Sequence, residues 1–283
     1  MSVAHRWLWA RRFSQVTVLG LFLLGPGFGI HWLRGDLNAS LLLEWLPMTD
    51  PLILLQSVLA GHRPQSAAWM GAGLILLFYF ILGGRTYCSW VCPINPLTDL
   101  AAWLRRRLGL PQGWRPPAAS RGYVLLAVLV LSAISGQIVW DWVNPITALQ
   151  RGLMYGMGLG WALVLGVFLL DLLVVPAGWC GRLCPVGAFY GLLGRYSPLV
   201  VSAPRRQACN HCMDCYRICP ERHILAPVLH RREGAGTTVL NPAACTRCAR
   251  CLDVCQQRVF HLGRRPASIP EHALNDPPGL KEV

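Results

Sequence analysis

The chain is organised around the stretch Cys209-Asn210-His211-Cys212-Met213-Asp214-Cys215-Tyr216-Arg217-Ile218-Cys219-Pro220. The same cysteine spacing returns further along the chain at Cys245, Cys248, Cys251 and Cys255. Three cysteines separated by two residues each, with a fourth three residues beyond, are typical of [4Fe–4S] ligation, in which the fourth cysteine ligates the neighbouring cluster. Each copy therefore predicts one [4Fe–4S] cluster. Gln256 replaces the proline of the first copy, which affects only how the chain leaves the fourth ligand.

Each predicted cluster is completed by a cysteine from the other copy. The first cluster is expected on Cys209, Cys212, Cys215 and Cys255. The second is expected on Cys245, Cys248, Cys251 and Cys219. Structural zinc also binds paired cysteines, but a zinc site takes four ligands and does not explain why this four-cysteine run occurs twice.

The composition predicts a membrane protein. Hydrophobic residues make up 54% of the chain and charged residues only 14%, which is too apolar for an ordinary soluble protein. The net charge of +13 is not accompanied by a nucleic-acid recognition motif, so no nucleic-acid partner is predicted. The 12 cysteines divide into eight cluster ligands and two further pairs, which argues against a disulfide framework. Reduced thiolate ligands suit the cytoplasmic face of a membrane.

Four apolar stretches are interpreted as transmembrane helices: residues 16–33, 67–82, 122–139 and 159–175. The loops after the second and fourth stretches are rich in arginine, which predicts that these loops and both termini are cytoplasmic. A secretory signal is the alternative for the first stretch, but no convincing cleavage site follows it. The broken apolar stretch 41–59 is interpreted as a re-entrant or interfacial segment.

The proposed membrane part contains an internal repeat. Cys88-Ser89-Trp90-Val91-Cys92-Pro93 matches Cys180-Gly181-Arg182-Leu183-Cys184-Pro185. Upstream, Trp45-Leu46-Pro47-Met48-Thr49 resembles Trp142-Val143-Asn144-Pro145-Ile146-Thr147. Repeats that run in the same direction imply a pseudo-two-fold axis along the membrane normal. Such an axis would bring the two cysteine pairs close together at the inner surface.

The repeated cysteines are therefore a possible third redox or metal site, formed by Cys88, Cys92, Cys180 and Cys184. They could hold a cluster or another metal, or act as redox thiols. The alternative is that they are small packing residues, since a free cysteine packs well in a protein interior.

A carboxylate inside a predicted span is a candidate catalytic group, because burying it in a bilayer is costly. Asp171 lies in the fourth stretch and could accept a proton from a quinol. Pairing with Arg85 or Arg182, in a purely structural role, is an equal alternative. A head-group site near the outer surface could also be lined by Gln56, His31, His62, Gln137 and Asp141. The alternative for each of them singly is an interfacial residue.

Taken together, these motifs resemble the NapH family, the ferredoxin-type membrane components of the quinol dehydrogenase that serves periplasmic nitrate reductase. The resemblance rests on the four apolar stretches, both cysteine pairs, both cluster runs and the stretch Leu46-Pro47-Met48-Thr49-Asp50-Pro51-Leu52. Related proteins that serve nitrous oxide reductase, methylamine use or copper-oxidase assembly share the cysteine motifs.

The resemblance implies a function as an oxidoreductase subunit. Such a subunit takes electrons from quinol in the bacterial inner membrane, in contact with membrane lipid. It passes them to the periplasmic iron–sulfur protein NapG, and onward to the nitrate reductase with or without the haem protein NapC. A redox maturation or assembly factor for a metalloenzyme is the alternative function, and a membrane redox sensor is a weaker one.

The expected architecture is a mainly α-helical, polytopic membrane protein of four transmembrane helices in two repeated hairpins. A cytoplasmic, ferredoxin-like α+β domain with two clusters follows. The domain boundaries are placed at residues 1–200 for the membrane part, 201–265 for the cluster part and 266–283 for a flexible tail. Short pairing strands are expected around the clusters, near Val228-Leu229 and Val259-Phe260.

Overall fold

The computed structural model describes residues 5–29, 32–111, 113–114, 116–156, 158–230 and 238–266. The helices are α1 (Arg6–Phe28), α2 (Pro51–Leu59), α3 (Ser66–Leu82), α4 (Thr86–Trp90), α5 (Ile94–Arg107), α6 (Ser120–Ser135), α7 (Val139–Trp142), α8 (Pro145–Tyr155), α9 (Gly160–Leu169), α10 (Pro185–Gly194), α11 (Asp214–Ile218), α12 (Ala226–Leu229) and α13 (Arg250–Val254). The strands are β1 (Leu33–Gly35), β2 (Ala39–Leu42), β3 (Leu46–Thr49), β4 (Leu199–Ser202) and β5 (His261–Arg264). Beyond Pro266, the predicted flexible tail lies outside the described residues.

The prediction of four transmembrane helices is wrong. In the described part of the chain, no helix combines the length and the apolar character needed to cross a membrane. A span needs about 20 consecutive apolar residues. The helices at the second and third predicted stretches, α3 and α6, have 17 and 16 residues. At the fourth, α9 stops after 10 residues, where the backbone widens into the π-helical turn Leu170–Val174.

The longest helix, α1, begins ten residues before the first predicted stretch, which started at residue 16. It has 23 residues, and its first two turns carry Arg6, Arg11 and Arg12. These arginines interrupt the apolar character that a span requires. The sequence analysis therefore located the apolar segments but misjudged the lengths and boundaries of the helices that contain them.

The chain divides into two compact units. The first consists of the described residues of Met1–Arg11, Tyr79–Ser89 and Tyr190–Val283. The second consists of the described residues of Arg12–Phe78 and Trp90–Phe189. The domain boundaries drawn in the sequence analysis stay a prediction.

The first unit is built around a small antiparallel ribbon. Strand β4 pairs with β5, with Leu199 opposite Arg264 and Ser202 opposite His261. The apolar core beside this ribbon consists of Val201, Ala203, Ile224, Leu225, Val228, Leu229, Leu240, Ala244, Val259 and Phe260. Helices α11 and α13 pack on each other, so the two cluster runs share this one core.

The strands predicted around the clusters are not the strands of the structure. Val228 and Leu229 lie in helix α12, and Val259 and Phe260 precede β5. All four side chains are buried. Short apolar pairs such as these indicate burial but do not distinguish a helix from a strand.

The second unit contains a three-stranded antiparallel sheet in the order β1-β2-β3, with Leu33 opposite Leu42 and Ala39 opposite Thr49. Helix α8 packs on α9, α2 packs on α6, and α5 packs on the π-helical turn. The stretch 41–59, interpreted as re-entrant or interfacial, forms the end of β2, strand β3 and helix α2.

Two helices of the second unit begin in the same way, which supports the predicted repeat. Asp50 caps α2, whose first residue is Pro51, and Asn144 caps α8, whose first residue is Pro145. Each cap oxygen accepts a hydrogen bond from the second residue of its helix, at 2.7 Å for Asp50 and 3.1 Å for Asn144. The structure thus equates Asp50 with Asn144, whereas the sequence comparison aligned Pro47 with Pro145.

Candidate functional site

The first cavity of interest collects the four cysteines predicted for the first cluster. Its lining includes Cys209, Cys212, Cys215 and Cys255. Cys255 comes from the second cysteine run, so the fourth thiol is contributed across the two runs as the spacing predicts. The backbone N–H of Val259 donates a hydrogen bond of 3.4 Å to the Cys255 sulfur. Three aromatic side chains lie at one side of this cavity, His211, His230 and Tyr216, and the two histidine rings stack with centroids 5.5 Å apart.

The second cavity collects the other four cysteines. Cys219 from the first run lines it together with Cys245, Cys248 and Cys251. The loop that carries Cys245 and Cys248 is buried at every residue from Ala244 to Ala249. The corresponding loop of the first run is exposed from Asn210 to Met213. The two sites therefore share one ligand pattern but differ in their access to solvent.

The two cysteine loops have the same unusual backbone. The residues on either side of the second cysteine have positive φ angles, namely His211 (54°) and Met213 (61°) in the first loop, and Arg247 (50°) and Ala249 (55°) in the second. Non-glycine residues rarely adopt this left-handed conformation. Alternating left- and right-handed residues turn backbone N–H groups into a concave nest that binds anions at many iron–sulfur sites.

Electrostatic interactions between the thiols follow the same grouping. Burial, with smaller contributions from the neighbouring thiolates of Cys209, Cys212 and Cys255, raises the pKa of Cys215 to about 11. In the second group, burial raises the pKa of Cys219 well above its usual value, with added contributions from Cys248 and Cys245. These thiols therefore disfavour each other's ionisation, whereas a bound metal deprotonates the cysteine that coordinates it.

Four thiols that converge on one cavity are the donor set that a [4Fe–4S] cluster takes, so the residues of both cavities fit the group. The assignment of the individual ligands stays a prediction.

A buried ion pair, which the sequence analysis did not foresee, flanks the second cavity. Glu221 lines this cavity and accepts a hydrogen bond of 2.8 Å from the guanidinium of Arg85. Arg85 also donates to the carbonyl of Ala244, and Ser89 donates to the carbonyl of Thr246 at 2.7 Å. The segment from Arg85 to Ser89 thus holds the peptide carbonyls on both sides of Cys245. The cysteine spacing gives no signal for these contacts, because the segment is remote in sequence.

The loop cysteines predicted as a third site divide between the two units. Cys88 belongs to the first unit, and Cys92, Cys180 and Cys184 belong to the second. All but Cys180 are buried, and the Cys180 sulfur lies 3.9 Å from the Thr98 hydroxyl. Across the described residues, the eight cavity cysteines included, no group of three or more His, Cys, Asp or Glu is placed to hold a single metal ion. A metal or redox role for these cysteines stays a prediction.

Asp171 is buried and holds the turn that carries Cys180. Its Oδ1 accepts a hydrogen bond of 2.8 Å from the N–H of Trp179, while Oδ2 has no hydrogen-bond partner among the described residues. Burial raises the pKa of Asp171 to about 7, although hydrogen bonds and the charge of Arg105 oppose this rise. Neither suggested partner pairs with it: Arg85 pairs with Glu221, and the cation that acts on Asp171 is Arg105.

The polar residues suggested for a head-group site have separate environments. Gln56 is fully buried, and its Oε1 accepts hydrogen bonds from Ser132 and from the N–H of Trp140. Asp141 accepts a hydrogen bond from Asn38 and pairs with Arg151 at 3.4 Å. His62 and Gln137 are exposed, and His31 lies outside the described residues. None of these hydrogen bonds or ion pairs joins two of the four side chains that the structure describes.

Comparison with known families assigns both parts of the chain to iron–sulfur domains. A 4Fe-4S dicluster domain matches residues 208–259, which contain both cysteine runs. A 4Fe-4S binding domain matches twice, at residues 66–111 and 153–205, and each match contains one pair of loop cysteines. The double match agrees with the repeat detected in the sequence. None of the solved structures matches the chain significantly.

Several relatives match almost the whole chain. The ferredoxin-type protein NapH of Escherichia coli is 48% identical over 266 residues, which are 94% of this chain and 92% of the relative. The methylamine utilization ferredoxin-type protein MauN of Methylorubrum extorquens is 45% identical over 95% of this chain and 93% of its own length. NapH of Haemophilus influenzae is 44% identical over 93% of this chain and 91% of its own length. With these similarities and its two four-cysteine cavities, the chain belongs to the family of NapH and MauN ferredoxin-type proteins, which are iron–sulfur electron-transfer proteins.

Proposed function

We propose that this chain is the iron–sulfur subunit of a quinol dehydrogenase, which passes electrons from the quinol pool toward a periplasmic nitrate reductase. The observation that carries this proposal is the pair of four-cysteine cavities in a chain 48% identical to a ferredoxin-type protein NapH. We propose two [4Fe–4S] clusters, one in each cavity.

The clusters supply one-electron chemistry when they are bound, and the protein supplies the surroundings. The eight thiols hold them, and the nests of backbone N–H groups stabilise their negative charge. The loop residues from Ala244 to Ala249 around the second cavity are buried, and Cys245 belongs to the apolar core of the first unit. Asp171 is retained as a proposed proton acceptor, because its unpartnered Oδ2 and its pKa of about 7 allow it to take up and release a proton near neutral pH.

Attachment to the bacterial inner membrane, with the cluster unit on the cytoplasmic side, is part of the same proposal. The support comes from large apolar side chains that remain exposed on three helices, such as Trp69 and Leu77 on α3, Ile134 on α6, and Trp161 and Leu165 on α9. Extended exposed apolar surface is typical of protein or membrane contact. The proposed redox partners are the iron–sulfur protein NapG and the haem protein NapC, as the family resemblance implies.

Quinol-driven reduction of the purified protein tests the proposal. Protein prepared anaerobically in detergent is mixed with a quinol and followed by electron paramagnetic resonance. Two [4Fe–4S] signals are expected, and Cys212→Ser and Cys248→Ser should each abolish or alter a different one. Met213→Leu, next to an exposed ligand, is the matched control and should leave both signals unchanged.

The alternative function has a distinct outcome in the same experiment. Clusters that are reduced by dithionite but by no quinol, even with the partner proteins present, would contradict a quinol dehydrogenase. That result would favour a redox maturation or assembly factor for a metalloenzyme. A third signal that disappears on changing Cys88 and Cys180 would identify the loop cysteines as ligands.

A further inference from the structure

One buried polar atom at the first cavity has no hydrogen-bond partner. Tyr216 follows Cys215 in helix α11, and it lines the cavity together with the four thiols. Its hydroxyl oxygen is buried and makes no hydrogen bond to any of the described residues. A buried polar group without a partner destabilises a protein, so such a group in a native structure needs an explanation.

The packing around Tyr216 restricts where a partner can come from. One side of the residue packs against the apolar core of the first unit, whose side chains are hydrocarbon except for the thiols of Cys215 and Cys245. The ring of His230 lies against the Tyr216 ring in a tilted aromatic contact, with centroids 5.9 Å apart. The remaining source of a hydrogen-bond acceptor is the cavity that Tyr216 lines.

The polar side chains of the cavity lining are engaged elsewhere or lie at its outer side. Asn210, Gln256 and Gln257 are exposed. Asp214 pairs with Arg217 at 3.7 Å. What the cavity offers to a buried hydroxyl is therefore the space that the four thiols surround.

The second cysteine run provides an internal comparison. The residue that follows Cys251, at the position equivalent to Tyr216, is Leu252. Leu252 packs against the same apolar core but carries no hydrogen-bonding group on its side chain. The two runs thus share one ligand spacing, whereas the side-chain donor at this position belongs to the first run.

We propose that the Tyr216 hydroxyl donates a hydrogen bond to a sulfur atom of the first cluster and thereby raises the reduction potential of that cluster. The inference goes beyond the proposed function and rests on it only in that the thiols of Cys209, Cys212, Cys215 and Cys255 hold a [4Fe–4S] cluster.

The direction of the effect follows from the charge that reduction adds. Reduction takes one electron from a mediator and leaves the hydroxyl proton on Tyr216, so the cluster gains one negative charge. A hydrogen bond to a more negative acceptor is stronger, and the donor therefore stabilises the reduced form more than the oxidised form. Hydrogen bonds to the sulfurs are among the factors that set the potential of such a cluster.

A redox titration followed by electron paramagnetic resonance tests the inference without any quinol. Chemical mediators set the potential, and the two signals are assigned with Cys212→Ser and Cys248→Ser. Tyr216→Phe keeps the ring and removes the donor. It is expected to lower the reduction equilibrium constant of the first cluster at least threefold, or about 28 mV at about 59 mV per tenfold change for one electron.

Two references accompany this titration. The second cluster, measured in the same sample, should keep its potential in Tyr216→Phe. Tyr196→Phe removes the same atom from a tyrosine of the first unit that is 66% exposed, and it should leave both potentials unchanged.

A spectroscopic readout separates the hydrogen bond from a packing role of the ring. Electron–nuclear double resonance detects protons close to a reduced cluster and shows which of them exchange in D₂O. The first cluster of the unmodified protein should show an exchangeable proton coupling that Tyr216→Phe lacks and Tyr196→Phe retains.

Labelling with 3-fluorotyrosine provides the test if Tyr216→Phe does not hold the first cluster. Replacement of all seven tyrosines keeps every hydroxyl but makes each a more acidic and stronger donor. The first cluster should then have a higher potential than in unlabelled protein, and the second cluster should be unshifted.

Three results would overturn the inference. They are an unshifted first cluster in loaded Tyr216→Phe protein, an equal shift of both clusters, and an unshifted first cluster in fluorotyrosine-labelled protein. The first would mean that the hydroxyl is satisfied by water and not by the cluster. Failure of quinol to reduce the protein would refute the proposed function and would leave this titration unaffected.

Discussion

At the scale of single residues, the buried pair Arg85–Glu221 is expected to be sensitive to substitution. Both side chains are almost fully buried, with exposures of 1% and 2%. Removing one partner of a buried pair leaves an uncompensated charge and typically costs roughly 3–5 kcal/mol. We therefore expect Glu221→Gln to lower the free energy of unfolding by about 3 kcal/mol, measured by urea denaturation of the cluster-loaded protein under anaerobic conditions.

The exposed pair of Arg151 with Asp36 provides the control for this prediction. Arg151 is 48% exposed and approaches Asp36 at 2.6 Å. Solvated pairs contribute at most about 1 kcal/mol, so Arg151→Gln should have a small effect. Equal losses in the two variants would show that burial does not amplify the Arg85–Glu221 interaction.

Asp50 gives the protein a specific pH dependence of stability. Burial raises its pKa from 3.8 to about 6, despite hydrogen bonds from the N–H groups of Leu52 and Ile53. Between these two pH values the folded protein holds a proton that the unfolded chain has released. The stabilisation is therefore complete below pH 3.8 and is lost as the pH rises through 6. Each unit of pKa difference corresponds to about 1.4 kcal/mol.

The repeat supplies the matched comparison for this effect. In the Asp50→Asn variant, the free energy of unfolding should no longer show the fall with rising pH that Asp50 causes. Asn144→Asp, at the equivalent helix cap, should introduce a similar fall, because Asn144 is only 3% exposed. Urea denaturation at several pH values measures both. Parallel pH profiles for the unmodified protein and Asp50→Asn would refute the assignment to Asp50.

At the scale of elements, the start of the long helix α1 depends on a side chain from α13. Asp253 accepts hydrogen bonds from the N–H groups of Trp7 (3.2 Å) and Leu8 (3.0 Å). Loss of such a cap typically costs about 1 kcal/mol, so Asp253→Ala should speed hydrogen exchange at these two amides roughly fivefold.

Asp253→Asn is the control, since it keeps one acceptor oxygen and should have an intermediate effect. Exchange is read by mass spectrometry of the peptide that contains Trp7 and Leu8. Unchanged exchange in Asp253→Ala would mean that these amides are protected by something other than the cap.

The sequence was informative about where helices lie and less so about their ends. The stretch 67–82 matches α3 within a residue at its start, because its composition is uniformly apolar and nothing interrupts it. The fourth stretch was predicted to continue to residue 175, but α9 ends at Leu169. Asp171 accepts a hydrogen bond from Trp179, a contact between this π-helical turn and the next one that apolar periodicity cannot reveal.

At the scale of the whole molecule, each cavity draws its thiols from both cysteine runs. Cys255→Ala should therefore remove the first cluster, although the substitution lies in the second run. Cys219→Ala should remove the second cluster for the same reason. Electron paramagnetic resonance shows which signal each variant loses. If each run instead held its own cluster, Cys255→Ala would remove the second cluster and Cys219→Ala the first.

The grouping of these eight cysteines could be anticipated because iron–sulfur ligation constrains both residue type and spacing. The charged residues that surround these cysteines could not be anticipated from the sequence. Arg247 is one of many arginines in the chain, and its burial depends on Gly83 and Gly194, which are far away in sequence. Glu221 follows the first cysteine run closely, but its partner Arg85 comes from the turn between α3 and α4, more than a hundred residues earlier.

The crossed contribution of Cys219 and Cys255 also bears on how the protein matures. When one cysteine run is fixed around its cluster, its last cysteine is held in the other cavity. Binding of the second cluster therefore costs less conformational entropy, because part of its site is already ordered. Insertion of the two clusters should consequently be cooperative. During reconstitution with limiting iron and sulfide, empty and fully loaded chains should predominate over chains that carry a single cluster.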